Sequence, residues 1–402
     1  MRKNKKNNNG IMKFFKKIMN GDKVRYTTWE TIIFMIIVFG LGLIVGGIII
    51  YSRNNNSSLN EFMATYDEII DNYYQKIDEK ELLEAGISGM VKYLGDPYST
   101  YMNKDDAENF SEGVDGTYQG IGAEIKYNEK NLPSIGEVFK NSPAEKVGLK
   151  ENDIILKVNE IEVKDKTLSE IADIVKGEKG TKVNITVKRN NEEKAFTIER
   201  AVVDNISVVS ELINSNNKKI GYIYISIFAS NTAKQFKEKL ENLEKEKIDS
   251  LIIDVRGNTG GYLTTVTDII SMFTKKNDVI YELKTKEKRE KILDKTVEYR
   301  DYPVAVITDG QSASASEVLA GAFSEIYNAK IVGEKTYGKG KVQKVFTLSS
   351  GALFKYTYQE WLTPKGNYID GIGITPDVEV KYEYISDGKD SQKNKAIEIL
   401  SK

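Results

Sequence analysis

The 402-residue chain has no cysteine and no histidine. The first absence excludes disulfides, thiolate nucleophiles and cysteine-ligated zinc. The second excludes the serine–histidine–aspartate triad, imidazole metal sites and histidine acid–base chemistry. A hydrolase made from this sequence must take its base from Lys, Asp, Glu or Tyr. The chain also lacks net charge: 58 Lys and Arg against 59 Asp and Glu leave −1. That balance is uneven along the chain. Residues 1–31 hold nine cations, from Arg2 to Arg25, against Asp22 and Glu30, so this segment carries +7 and the remainder −8. An acidic main body speaks against a nucleic-acid partner.

Residues 32–51 form a run of 20 without a charge. As a helix rising about 1.5 Å per residue, it spans roughly the 30 Å of a bilayer core. The long basic lead, and an exit without an A-x-A cleavage site, predict an uncleaved signal-anchor rather than a cleaved signal peptide. The cation excess predicts a cytoplasmic segment 1–31, a transmembrane helix 32–51 and an extracytoplasmic body. Residues 52–58 (Ser-Arg-Asn-Asn-Asn-Ser-Ser) read as a polar tether.

Beyond the tether the pattern changes twice. In residues 59–104 apolar residues recur every three or four positions, as at Phe62, Tyr66, Ile69 and Tyr73, and Gly95-Asp96-Pro97 stops the second of two helices. Residues 105–204 alternate short strands with an amphipathic helix over 167–176, on which Leu168, Ile171, Ile174 and Val175 share a side. Here Gly120-Ile121-Gly122 serves either as a simple turn or as a loop of N–H groups for a carboxylate. Residues 205–385 alternate strands and helices as an α/β core, and residues 386–402 read as a helical tail. The helices at 59–94 and 391–400 make a homodimer a reasonable expectation.

In an α/β core, sites gather where strands end and helices begin. Two such junctions stand out. Asp254-Val255-Arg256-Gly257-Asn258-Thr259-Gly260-Gly261 is either a tight glycine turn or a cradle of N–H groups for an oxyanion, and it lacks the ending of a phosphate loop. Gln311-Ser312-Ala313-Ser314-Ala315-Ser316-Glu317 opens a helix. Ser316 suits a cap, and the small residues around Ser314 leave it open to a substrate. A serine nucleophile without histidine needs another base. Lysine serves if its pKa falls from about 10.4 to around 7 or 8, which burial without a counter-ion supplies. Lys339, between Gly338 and Gly340, is either such an inward lysine or an exposed turn residue. Ser-x-x-Lys also occurs at Ser215–Lys218 and Ser386–Lys389, in polar segments that read as chance matches.

These motifs, together with Asp96-Pro97-Tyr98-Ser99-Thr100-Tyr101, Gln343 and Gly371-Ile372-Gly373-Ile374-Thr375-Pro376-Asp377, resemble the carboxyl-terminal processing (tail-specific) proteases from residue 59 to the end. Residues 116–203 are similar to a PDZ domain. The resemblance implies an α/β protease core with an inserted α+β PDZ domain, behind a helical segment and one transmembrane helix. It further implies Ser314 as nucleophile, Lys339 as general base and Gln343 as the residue orienting the lysine. Ala315 and either Gly260 or Gly261 would form the oxyanion hole, and Gly120, Ile121 and Gly122 would hold a peptide's terminal carboxylate. Asn367-Tyr368 departs from the family, where an arginine is common. No metal or cofactor is implied. The expected partners are proteins or peptides with accessible apolar C-termini, and the rival expectation is an inactive membrane-tethered PDZ scaffold.

Overall fold

The structure, a computed structural model, describes residues 28–54, 57–386 and 388–402. Most of the basic segment 1–31, and residues 55 and 56 of the expected tether, lie outside the described residues. Helix α1 (Thr28–Asn54) is longer than the expected span on both sides. Its window Thr31–Ile49 has a mean hydropathy of 3.0 and no buried share, and is long and apolar enough to cross a membrane. The tether expectation meets a correction: Ser52, Arg53 and Asn54 continue α1, and Ser57 and Ser58 open α2 (Ser57–Asn72). No proline or glycine stands between Tyr51 and Leu59 to stop a helix. Helix α3 (Glu79–Tyr93) starts where the Asp78 carboxylate accepts the Lys80 and Glu81 N–H groups. It stops short of Gly95, whose φ is 63°.

Residues 59–104 do not end as a purely helical region. Strand β1 (Thr100–Met102) pairs with a strand some 250 residues later, Thr100 facing Lys355, so this segment belongs to the protease sheet. Periodicity along the chain could not reveal that partner. Helix α4 (Lys104–Asp115) leads into β2 (Thr117–Gly120), the first strand of the inserted domain.

That domain continues with β3 (Ala123–Tyr127), β4 (Pro133–Val138), α5 (Pro143–Lys146), β5 (Ile154–Val158), β6 (Ile161–Glu162), α6 (Leu168–Val175), β7 (Lys182–Arg189), β8 (Glu192–Glu199) and β9 (Ala201–Asp204). Strands β3-β4-β5-β7-β8 form a sheet with β6 on β5. Helix α6 begins with a capping box between Thr167 and Glu170. Ile121, Ile135, Ile171, Ile185 and Ile198 build a core of its own. The entering β2 and leaving β9 pair antiparallel, Thr117 opposite Asp204.

The second core begins with β10 (Val208–Ser215) and β11 (Lys218–Ile225), an antiparallel hairpin that contains the Ser215–Lys218 match. Then follow α7 (Thr232–Lys245), β12 (Ser250–Asp254), α8 (Leu263–Ile270), β13 (Val279–Lys284), β14 (Arg289–Leu293), β15 (Val304–Thr308), α9 (Ala315–Glu325) and β16 (Lys330–Gly333). The chain ends with β17 (Lys341–Thr347), β18 (Leu353–Leu362), β19 (Val378–Glu379), β20 (Tyr384–Ser386), β21 (Lys389–Asp390) and α10 (Ser391–Leu400). The main sheet has the order β10-β11-β12-β15-β16-β19, parallel from β11 onward.

Every residue of β12 and β15 is buried, because both faces of this sheet are covered. Leu251, Ile253, Val304 and Val306 face the cluster that contains the apolar residues of α7, α8 and α9. Ile252, Ala305 and Ile307 face the opposite side, closed by Ala396 and Leu400 of α10. Helix α10, one of the helices offered for pairing between protomers, covers the chain's own sheet. A second sheet, β1-β18-β13-β14 with β17 on the other edge of β18, flanks this body.

Candidate active site

Ser314 sits between β15 and α9 with φ 55° and ψ −114°, a left-handed conformation rare for a residue with a side chain. Two neighbouring serines have other work. Ser312 donates its hydroxyl to Val255 O (2.8 Å) and Ser316 to Asn258 O (2.8 Å), both fully buried. Ser314 is half-exposed. These bonds, with Ala313 N–H to Asn258 O (3.0 Å) and Gly257 N–H to the Asp309 carboxylate (3.0 Å), join the two sequence junctions side by side.

Glycine is required where the junctions touch. A Cβ on Gly260 would lie 2.8 Å from Ser314 Cβ and 3.2 Å from Ala315 N, and one on Gly261 would lie 2.2 Å from Phe228 O. The Gly260 N–H is held by Asn258 Oδ1 at 2.9 Å. Ala315 begins α9, so its N–H lacks an intrahelical acceptor. Arg256 of the same turn points elsewhere. It is clamped by Asp254 (2.6 Å) and Asp390 (2.9 Å), which ties the turn to the start of α10.

Lys339 is brought to Ser314 by a residue to which sequence reasoning gave no role. Glu317, fully buried, accepts four hydrogen bonds: from Ser314 N–H (2.9 Å), Thr336 Oγ1 (2.6 Å), Gly338 N–H (2.7 Å) and Lys339 N–H (2.8 Å). One carboxylate thus fixes the backbones of Ser314 and Lys339. The flanking glycines have steric reasons. A Cβ on Gly338 would lie 3.1 Å from Ile372 N and Gly373 N, and one on Gly340 2.5 Å from Asp370 N. The Gly371 motif therefore packs against the lysine loop. The Lys339 carbonyl accepts from the Trp361 indole N–H (2.9 Å), and its Nζ lies 5.0 Å from the Tyr98 ring centroid. Burial, followed by the charge of Lys355, pushes the Lys339 amine below the ordinary lysine range, against the opposing pull of Glu317 and Asp96.

Gln343 lies on β17 beside a register shift and donates to Thr357 Oγ1 (3.2 Å). Asn367 donates to Glu325 (2.8 Å), and the Tyr368 hydroxyl accepts from Lys284 (2.7 Å). In the inserted domain, Gly120 ends β2, Ile121 is buried in the domain core and Gly122 has φ 75°. A Cβ on Gly122 would lie 2.4 Å from Ser142 Cβ. The Ile121 and Gly122 carbonyls accept from Ala144 (2.8 Å) and Phe139 (2.9 Å). Beside them runs a groove of about 460 Å³ bounded by Tyr118, Ala123, Ile125, Leu168 and Ala172.

Three segments of the chain match known families. Residues 219–380 match the description "Peptidase family S41", residues 134–189 a PDZ domain and residues 50–106 the "Activating protease CtpB N-terminal domain". The chain is 38% identical over 337 residues to the carboxy-terminal processing protease CtpB of Bacillus subtilis, covering 83% of this chain and 70% of that one. The chain belongs to peptidase family S41. A probable CtpA-like serine protease of Staphylococcus epidermidis is 34% identical over 91% of this S41 chain and 77% of its own length. The solved photosystem II D1 C-terminal processing protease superposes with a TM-score of 0.48 at 24% identity, over 81% of this chain and 88% of that one.

What sequence reasoning missed around this candidate site is a set of supports. Glu317 was visible only as the last letter of a Ser-x-x-Glu helix start, a pattern that signals capping. Thr336, Asp309 and Thr357 carried no signal, because their partners are distant in the chain.

Proposed function

We propose that this chain is a membrane-anchored serine endopeptidase that processes protein C-termini with a Ser314–Lys339 pair. The carrying observation is the Glu317 carboxylate, which bonds the backbone of both residues across the 25 positions that separate them. Ser314 Oγ attacks the peptide carbonyl carbon, and its proton passes to the neutral Lys339 Nζ. The C–N bond breaks as the resulting ammonium protonates the leaving amine, and an acyl-enzyme remains. Water then adds to that ester, giving its proton to Lys339, and the new carboxylate leaves as Ser314 regains its hydrogen. The Ala315 N–H and the Gly260–Gly261 turn stabilise the oxyanion in both halves. Gln343 orients the lysine.

Gly120, Ile121 and Gly122 are read as the loop for a substrate's terminal carboxylate, with the apolar end of the peptide in the groove along α6. Helix α1 is read as a single-pass anchor with the catalytic body outside. In the full-length chain, Ser314→Ala and Lys339→Ala should each lower cleavage of a loosely folded, C-terminally tagged substrate by at least about 100-fold. Fluorophosphonate labelling should require Ser314. Wild-type cleavage by either variant sinks the reading, and absence of labelling in the wild type favours a peptide-binding scaffold. Recovery of a variant lacking residues 1–51 in the membrane fraction would remove the anchor.

A further inference from the structure

The Asp96-Pro97-Tyr98-Ser99-Thr100 segment has no part in the reaction as written above, yet it lies against the base. The Tyr98 ring centroid is 5.0 Å from Lys339 Nζ. The Asp96 carboxylate accepts from the Tyr98 N–H (3.2 Å) and from the Ser99 hydroxyl. Ser99 Oγ in turn accepts the Thr357 N–H (3.1 Å). The same Thr357 Oγ1 accepts from Gln343 Nε2 (3.2 Å). A relay therefore runs from Asp96 through Ser99 to the backbone of Thr357, whose hydroxyl meets Gln343.

Lys355 precedes Thr357 by two residues on β18, so the two side chains leave the same face of the strand. Its backbone pairs with Thr100, directly after the turn, and its Nζ lies 5.0 Å from the Phe110 ring centroid of α4. We propose that Asp96 and Lys355 are positioning residues of the catalytic centre, Asp96 fixing the Gln343 amide through Thr357 and Lys355 holding a second cation within electrostatic reach of Lys339. This rests on the reading of Lys339 as the base.

Charges on three elements act on the Lys339 amine, Lys355 on β18, Glu317 on α9 and Asp96 on the turn, while the Tyr98 ring lies 5.0 Å from its Nζ. Lys355 favours loss of the Lys339 proton, whereas Glu317 and Asp96 favour its retention. Lys355 itself faces Asp96 and Phe110, and burial pulls its amine below the ordinary lysine range while Asp96 opposes that pull. The signs are therefore opposite for the two residues. Neutralising Lys355 makes Lys339 hold its proton to higher pH, and neutralising Asp96 makes it release the proton at lower pH. General loosening of the site would hydrate Lys339 and move both variants upward.

The test is the pH dependence of kcat/KM for the full-length chain in detergent, compared among wild type, Lys355→Met, Lys355→Arg, Asp96→Asn and Lys339→Ala. The acidic limb should move up by on the order of one pH unit in Lys355→Met and stay in place in Lys355→Arg. In Asp96→Asn it should move down, with kcat reduced about tenfold or more as the relay to Gln343 is lost. Unmoved limbs, upward movement in both variants, or failure of Lys355→Arg to restore the wild-type limb overturns the proposal. A wild-type rate in Lys339→Ala instead removes the reading of the base, and this proposal with it. An inactive Lys339→Ala together with unmoved limbs rejects this proposal alone. Circular dichroism confirms folding, Lys355→Gln replaces a Met variant that does not fold, and the Lys355 series decides if Asp96→Asn is unfolded.

Discussion

Lys339 serves two opposed requirements. The proposed reaction needs a neutral amine at this position, and burial favours one by making the ammonium unfavourable, so folding must carry that cost wherever the group remains protonated. The folded pKa lies below the unfolded value of about 10.4, so the folded state binds fewer protons. Below the folded pKa the full penalty is present, and it fades as pH rises through the folded and then the unfolded value. Two consequences follow for this residue. Activity should rise with pH as Lys339 loses its proton, with no histidine to account for the limb. Lys339→Met should be inactive yet melt at a higher temperature than wild type near neutral pH, the difference shrinking toward pH 11; calorimetry across pH checks it, and a lower melting temperature at neutral pH contradicts it. The small residues beside Ser314 and Lys339 were legible in the sequence as unusual neighbours. For the glycines flanking Lys339 the reason, Cβ positions 3.1 Å from Ile372 N and 2.5 Å from Asp370 N, was not.

At the scale of elements, the start of α9 does more than begin a helix. A capping glutamate ordinarily returns a hydrogen bond to its own first turn. Glu317 does so to Ser314, then accepts three more from Thr336, Gly338 and Lys339, fixing the lysine loop to the start of the helix that follows Ser314. Glu317→Gln keeps the volume but replaces an acceptor oxygen with an NH2 facing N–H donors. It should reduce Ser314 labelling by about 100-fold and cost roughly 1–3 kcal/mol for each donor left unsatisfied. Labelling kinetics and a denaturant melt measure the two effects, and a fully labelled, equally stable variant contradicts this account. The Ser-x-x-Glu spacing announced a helix start. Only the arrival of residues 336–339 turned it into a junction between the Ser314 and Lys339 segments.

On the scale of the molecule, the PDZ domain is an insertion whose two ends meet. Its entering and leaving strands pair Thr117 with Asp204, and its core cluster is separate from the two that face the main sheet. The ends also touch the protease core, where Tyr262 donates to Asp115 (2.9 Å) and Ser230 to the Asp115 carbonyl (2.7 Å). Replacing residues 121–200 with a short glycine linker should leave a folded core that retains Ser314 labelling and loses any preference for a substrate's terminal residues. Cleavage of peptide pairs with free and amidated C-termini measures that preference. Its persistence in the excised protein would place terminal recognition outside the PDZ domain.

By itself, the sequence determined whatever depends on local pattern or on absence. Without histidine or cysteine, only a few hydrolytic bases remain. A 20-residue uncharged run is long enough, as a helix, to match the thickness of a bilayer core. Alternating strands and helices, with glycine and serine at the junctions, announce an α/β core and its candidate turns. The tertiary structure alone decided matters that depend on partners far apart in the chain. It gave β1 to β18, turned α10 onto the second face of the main sheet, and joined Ser314 to Lys339 through Glu317. The physical reason is the same throughout: periodicity reports which face a residue presents, whereas hydrogen-bond partners, burial and electric field depend on what folding brings against that face.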